Sequence, residues 1–206
     1  MLQIGGYVSG GVLIAFGVAV IVLSLVGLHT VNTELNQQMI TGTPDMTPTA
    51  IKAEGAKAGL KNVSYPTCDV AGKAITNGAR ARCFAQYMNI HALLATGNLV
   101  YAQMPHYATA DGKGTNDPTQ ALQKDGKPVD NPARDVWINE TALSTALNTS
   151  YMADQTALFG IVVGIALLLA GVGFGILALG GALRNRESAP KVPKAAEAPA
   201  APAAGA

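Results

Sequence analysis

The chain has 206 residues, of which 49% are apolar, 13% charged and 5% aromatic, with 14 basic against 13 acidic side chains and a formal net charge of +1. A charged fraction near half the roughly 25% of soluble domains argues against an ordinary soluble globular protein. The balanced charge gives no basic field for nucleic acid, and the scarcity of aromatic rings leaves no platform on which single-stranded bases could stack.

Residues 1–3 form a short lead. From Ile4 to Leu28 there are 25 residues without one charged side chain, enough to cross about 30 Å of hydrocarbon, which takes about 20 residues at 1.5 Å each. Residues 4–28 are therefore a predicted transmembrane helix. A cleaved signal peptide is the competing reading, but residues 1–7 lack a basic side chain and Val26-Gly27-Leu28-His29-Thr30 is a poor cleavage site, so an uncleaved anchor is expected.

Residues 29–156 form the predicted external domain. Leu28, Val31, Leu35 and Met39 continue the first span outward at helical spacing until Gly42-Thr43-Pro44. Thr47 and Pro48 provide an N-cap and a first-turn proline, and Gly59 a stop, for a helix over 48–58. The two cysteines, Cys68 and Cys83, are expected to pair, closing a loop that stabilises by roughly 3 kcal/mol in the chain-entropy model. Free buried thiols are the alternative, and the spacing is not that of a zinc site.

Cys83, Tyr87, Ile90, Leu94 and Tyr101 predict a third helix from Ala79 to Met104. Turn residues from Tyr107 to Pro128, including Asp111-Gly112, Asn116-Asp117-Pro118 and Asp125-Gly126, predict a long exposed loop. Asn131, Pro132 and Asp135 start a fourth helix. Its stripe of Val136, Leu143, Leu147, Tyr151 and Leu158 runs into a second uncharged stretch, Ala157 to Leu183. One continuous helix over 132–183 is expected, with residues 157–183 as the second span.

The fold class that results is an all-α membrane protein, with two transmembrane helices flanking an extracytoplasmic helical bundle. Residues 184–206 form an Ala/Pro-rich tail that cannot bury a core and is expected to be disordered. Arg184 and Arg186 directly follow the second span. Basic residues at a membrane end favour the cytoplasm, so both termini are expected inside the plasma membrane and residues 29–156 outside.

The stretches Tyr87-Met88-Asn89-Ile90-His91-Ala92-Leu93-Leu94-Ala95-Thr96-Gly97 and Glu140-Thr141-Ala142-Leu143-Ser144-Thr145-Ala146-Leu147-Asn148-Thr149-Ser150-Tyr151 resemble those of a group of two-pass actinobacterial membrane proteins with an external helical domain. The resemblance implies that layout and carries no activity onto particular residues.

Candidate chemistry is sparse. His29, His91 and His106, with Met88, Met104 and Tyr101 near them in sequence, suggest a soft metal site, but no histidine has a partner at i+4, and packing is the stronger reading. Asp111, Asp117 and Asp125 do not match a calcium loop. Asn62, Asn139 and Asn148 begin glycosylation-like triplets of low specificity. No nucleophile elbow, phosphate loop or zinc-protease motif occurs, so no enzyme, cofactor or metal is expected.

Gly6 and Gly10, Gly160 and Gly164, and Gly171 and Gly175 each place two small residues on one helix face. Such faces permit close helix packing in lipid. The spans hold no acidic or basic residue, which argues against a pump. The leading expectation is a non-enzymatic membrane protein whose external domain mediates assembly, with itself or with other membrane proteins of an envelope complex. The alternative is an external ligand-binding or sensory module that signals through a membrane partner, and a two-span oligomeric channel stands third.

Overall fold

A computed structural model describes residues 2–180, and these are mainly helical. The tail expected to be disordered, together with Arg184 and Arg186, lies outside the described residues. The first uncharged stretch becomes α1, Leu2–Gln37, and the second closes α4, Pro132–Leu179. Both helices are long and apolar enough to cross a membrane. The described residues divide into two compact units, 2–16 with 166–180, and Gly17–Ile165.

In the first unit the backbones of α1 and α4 nearly touch. A Cβ built on Gly10 would stand 2.8 Å from the Gly171 carbonyl oxygen, and one on Gly171 equally close to the Gly10 carbonyl. The Gln3 side-chain amide donates to the Ala178 carbonyl at 3.0 Å. In the second unit the same two helices meet where Gly164 faces the Gly17 carbonyl and Ile21, and where Gly160 lies against Ser24. Gly6 is buried, whereas a Cβ on Gly175 would meet nothing within 4 Å. Gly10, Gly160, Gly164 and Gly171 thus pair the two long apolar helices within one chain.

Beyond the spans α1 runs to Gln37 and not to Met39. Met39 takes a left-handed conformation (φ 51°) and is 86% exposed. The chain reverses there so that Ile40 and Gly42 can pair with a later segment: Ile75 donates its amide to the Ile40 carbonyl at 2.9 Å, and Gly42 donates to the Lys73 carbonyl at 3.0 Å. A Cβ at Gly42 would collide with the Val70 carbonyl, so this crossing requires glycine.

The next helix, α2, spans Pro48–Lys57, with the Thr47 hydroxyl accepting from the Ala50 amide at 3.2 Å and Pro48 at the first position. Its Ile51 is fully buried, and Gly55 admits the Tyr65 ring against the helix backbone. Gly59 at φ 73° ends it. The disulfide Cys68–Cys83, with Cα atoms 6.1 Å apart, ties the following loop to α3.

Helix α3 covers Gly78–Ala95. The Asn77 side chain caps it through the Arg80 amide at 2.9 Å. Its start is fixed a second time from α4, because the buried Asp154 carboxylate accepts from the Gly78 amide at 2.6 Å. The expected continuation to Met104 does not form. Gly97 and Asn98 both take positive φ, and the chain resumes only as a 3-10 turn over Tyr101–Gln103.

The loop expected at 107–128 also holds a short hairpin, β1 (Gln123–Lys124) against β2 (Lys127–Pro128), paired antiparallel. Asp125 and Gly126 between them have φ of 54° and 74°, as a two-residue hairpin turn with both central residues left-handed demands.

Helix α4 begins where the Asn131 side chain accepts from the Ala133 amide at 3.1 Å, and it runs 48 residues without a break. Its inward stripe is rotated from the expected one. Trp137, Glu140, Leu147, Asp154 and Ala157 are buried, whereas Leu143 and Leu158 are about half exposed. Trp137 and Leu147 of this face join Leu35, Met46, Ile51, Val70, Ile75, Tyr87 and Ile90 in one core.

Tyr87 is the largest fully buried side chain, and its hydroxyl donates to the Cys68 carbonyl at 2.6 Å. Burial, with the Asp69 carboxylate adding to it, raises its pKa above the usual 10.0. The folded state thus holds the neutral phenol more tightly than the unfolded chain does. That stabilisation is complete below pH 10 and is lost as pH rises through the elevated folded value. Tyr87→Phe should therefore flatten the alkaline limb of a stability-against-pH curve measured on the full chain in detergent. An unchanged limb would mean that Tyr87 ionises as freely folded as unfolded.

Candidate functional site: an apolar groove and a carboxylate–histidine cluster

The second unit leaves a groove of about 1120 Å³ between the last turns of α1, the outer face of α3 and the middle of α4. Its walls are largely apolar, with Val31 and Leu35 from α1, Phe84 and Met88 from α3, and Leu143 and Leu147 from α4. It extends along α4 from Val136 to Ala153, close to 26 Å at 1.5 Å per residue. One end, at Thr30, Val31 and Ala153, adjoins the uncharged stretches, of which the first ends at Leu28 and the second starts at Ala157.

Eight of the 21 lining residues are polar, and the carboxylates among them are Glu34 and Glu140. Glu140 is only 7% exposed, and its carboxylate accepts from the Ser144 hydroxyl at 2.7 Å and more distantly from the Asn89 amide at 3.5 Å. No basic side chain pairs with it among the described residues. A buried carboxylate without a cation is costly unless something neutralises or hydrogen-bonds it. Hydrogen bonds from Ser144, Asn89 and Thr141 take that part within the fold.

His91 lines the same groove and reaches a second cluster. Its Nε2 is 2.7 Å from Asp45 Oδ2, and the Glu54 carboxylate completes a group whose ligand atoms all lie within 4.8 Å of one another. Asp45 comes from the turn before α2, Glu54 from α2 and His91 from α3. A hydrogen bond from the Thr43 hydroxyl, aided by the attraction of His91, lowers the Asp45 pKa below 3.8 and keeps it ionised.

The other residues singled out from sequence are placed separately. Cys68 and Cys83 are bonded to each other. Gly10, Gly160, Gly164 and Gly171 lie where α1 and α4 meet. The suggested soft metal set does not assemble: the guanidinium of Arg134 covers the Tyr101 ring at 4.0 Å, Met104 is buried in the core, and His29 and His106 are exposed. Asp111 and Asp117 are turn-formers, bound to Thr109 and Lys113 and to Thr119 and Gln120, and the threonine hydrogen bonds chiefly lower their pKa values.

Sequence reasoning missed Glu140 and Asp154 as buried groups. A signal existed, because Glu140, Leu147 and Asp154 recur every seven residues and so share one face of α4. For Asp45 and Glu54 no spacing could have served, since the cluster draws on three separate segments. Comparison with known proteins adds no assignment: no family pattern matches this chain, and neither a curated protein nor a solved structure is significantly similar to it.

Proposed function

We propose that the chain is a two-pass membrane protein whose extracytoplasmic helical domain, residues 29–156, binds an apolar ligand drawn from the bilayer, such as a lipid acyl chain. The groove carries this reading. It is large and mostly apolar, and one end, at Thr30 and Ala153, lies within about one helical turn of each uncharged stretch, which gives a molecule partitioned into the membrane a short path to it. The Cys68–Cys83 bond supports an oxidising compartment for that domain. Arg184 and Arg186 support a cytoplasmic tail. The domain acts here as a binding module rather than an enzyme.

The assembly reading rests chiefly on the glycine faces, and Gly10, Gly160, Gly164 and Gly171 support it less once they are turned to the partner span of the same chain. It survives as a different occupant of the groove, an amphipathic helix of another membrane protein.

Ala146 lies exposed in the groove lining, so Ala146→Phe fills the space without disturbing the core. Full-length protein in detergent should retain co-purifying lipid detectable by mass spectrometry and bind a fluorescent fatty acid saturably. Ala146→Phe should weaken that binding at least tenfold. Lipid-free wild-type protein with no saturable binding would sink the proposal, and a stoichiometric protein partner lost in the variant would put the assembly reading in its place.

A further inference from the structure

We propose that Asp45, Glu54 and His91 form a binding site for a divalent transition cation of the zinc class. The inference stands apart from the groove's ligand, since it rests on these three side chains alone.

One imidazole and two carboxylates are a donor set that zinc accepts, with Zn–N and Zn–O bonds near 2.0–2.2 Å. Tetrahedral coordination at about 2.1 Å places neighbouring donor atoms about 3.4 Å apart. The three donors lie within 4.8 Å of one another, and the closest pair is 2.7 Å apart. Small side-chain rotations bring all three to that spacing, opening the short pair and drawing Glu54 inward.

The geometry of the short contact points the same way. Nε2 of His91 is shielded from solvent and makes no directed hydrogen bond, although Asp45 Oδ2 is within 2.7 Å. Glu54 makes no side-chain hydrogen bond or ion pair among the described residues, which leaves its carboxylate free to ligate. The His91 and Asp45 side chains are 31% and 33% exposed, so the cluster lies near the surface with Nε2 itself turned inward.

The site is also anchored by elements that do not depend on a metal. The Thr47 cap and Pro48 fix the start of α2, and the disulfide secures α3. Three protein donors leave one tetrahedral position open, on a residue that lines the groove, so a polar or anionic ligand end could complete the coordination.

The test uses the full chain in detergent, purified through a tag without histidine, stripped with a chelator and titrated with zinc chloride against a chromogenic zinc indicator. One zinc per chain is expected, with affinity reduced at least tenfold in His91→Ala and in Glu54→Gln. Zinc should also raise the melting temperature of the wild type and not of Glu54→Gln. Glu54→Gln decides the matter because the Glu54 carboxylate supports no hydrogen bond or ion pair in the fold, and an apo melting temperature equal to that of wild type verifies its folding. Absence of stoichiometric binding, or wild-type affinity in Glu54→Gln, overturns the proposal and leaves His91 and Asp45 as an ion pair only.

Discussion

Trp137→Ala is expected to destabilise the second unit by about 3–5 kcal/mol, the largest effect of any single side-chain truncation proposed for this chain. Trp137 is the only tryptophan, is 8% exposed, and its indole Nε1 donates to the Leu99 carbonyl at 2.8 Å and the Thr96 hydroxyl at 3.2 Å. Truncation leaves a cavity where the ring packed and removes the donor from both oxygens. Trp137→Phe keeps most of the apolar area and should cost only about 1–2 kcal/mol, the part due to the two lost indole hydrogen bonds. Denaturant unfolding of full-length protein in detergent, followed by circular dichroism because the fluorophore is gone, measures both. A loss under about 1 kcal/mol for Trp137→Ala would show that the indole does not hold α4 to the end of α3.

Loss of the disulfide should come next. Cys68→Ser, or reduction of the wild type, is expected to lower stability by about 2–4 kcal/mol while leaving membrane insertion intact. Cys68 and Cys83 are 15 residues apart in sequence, and the bond also positions the Cys68 carbonyl that the Tyr87 hydroxyl engages. Reduction therefore loosens a covalent tie and a buried hydrogen bond together. Intact-mass analysis with alkylation decides whether the bond is present. Two labelled thiols in protein isolated without reductant would rule it out and remove its support for an oxidising compartment.

The parts of the fold that could be read from sequence are those fixed by neighbouring residues. Thr47-Pro48 and Asn131-Pro132 start helices by local capping chemistry, and both starts occur as expected. Long uncharged runs make long apolar helices for an equally local reason. Helix ends are harder. The apolar pattern through Leu94 and Tyr101 argues for one helix, yet the Leu99 carbonyl is taken by Trp137 and by the Thr96 hydroxyl, interactions that reach across 38 residues in the first case. Gly97 and Asn98 then absorb the turn. Met39 leaves the helical path because Ile40 has a partner at Ile75.

The same distinction separates what was legible in the candidate sites. The cysteine pair was visible because only two cysteines exist. Hydrophobicity assigns the stripe on α4 and passes over acidic residues, so the face carrying Glu140 and Asp154 is given to Leu143 and Leu158 instead. The cluster of Asp45, Glu54 and His91 depends on how the turn before α2 sits against α3. That placement arises from packing of Met46, Ile51, Val70 and Ile90 and from no motif.

The bond from the Gly78 amide to Asp154 bears on the order of events during synthesis. Its two ends are 76 residues apart, so at about 5–20 residues per second the acceptor is made roughly 4–15 s after its donor. Throughout that interval the N-terminal end of α3 has only the Asn77 cap, and the core face that Trp137 and Leu147 will cover stays open. Docking of α4 is therefore a late step, and it arrives with the segment that leads directly into the second apolar stretch. A nascent chain that stalls before Asp154 would leave the side of α3 that carries Gly78, Asn89 and Thr96 without the α4 partners it bonds to, a state in which chaperone protection matters most.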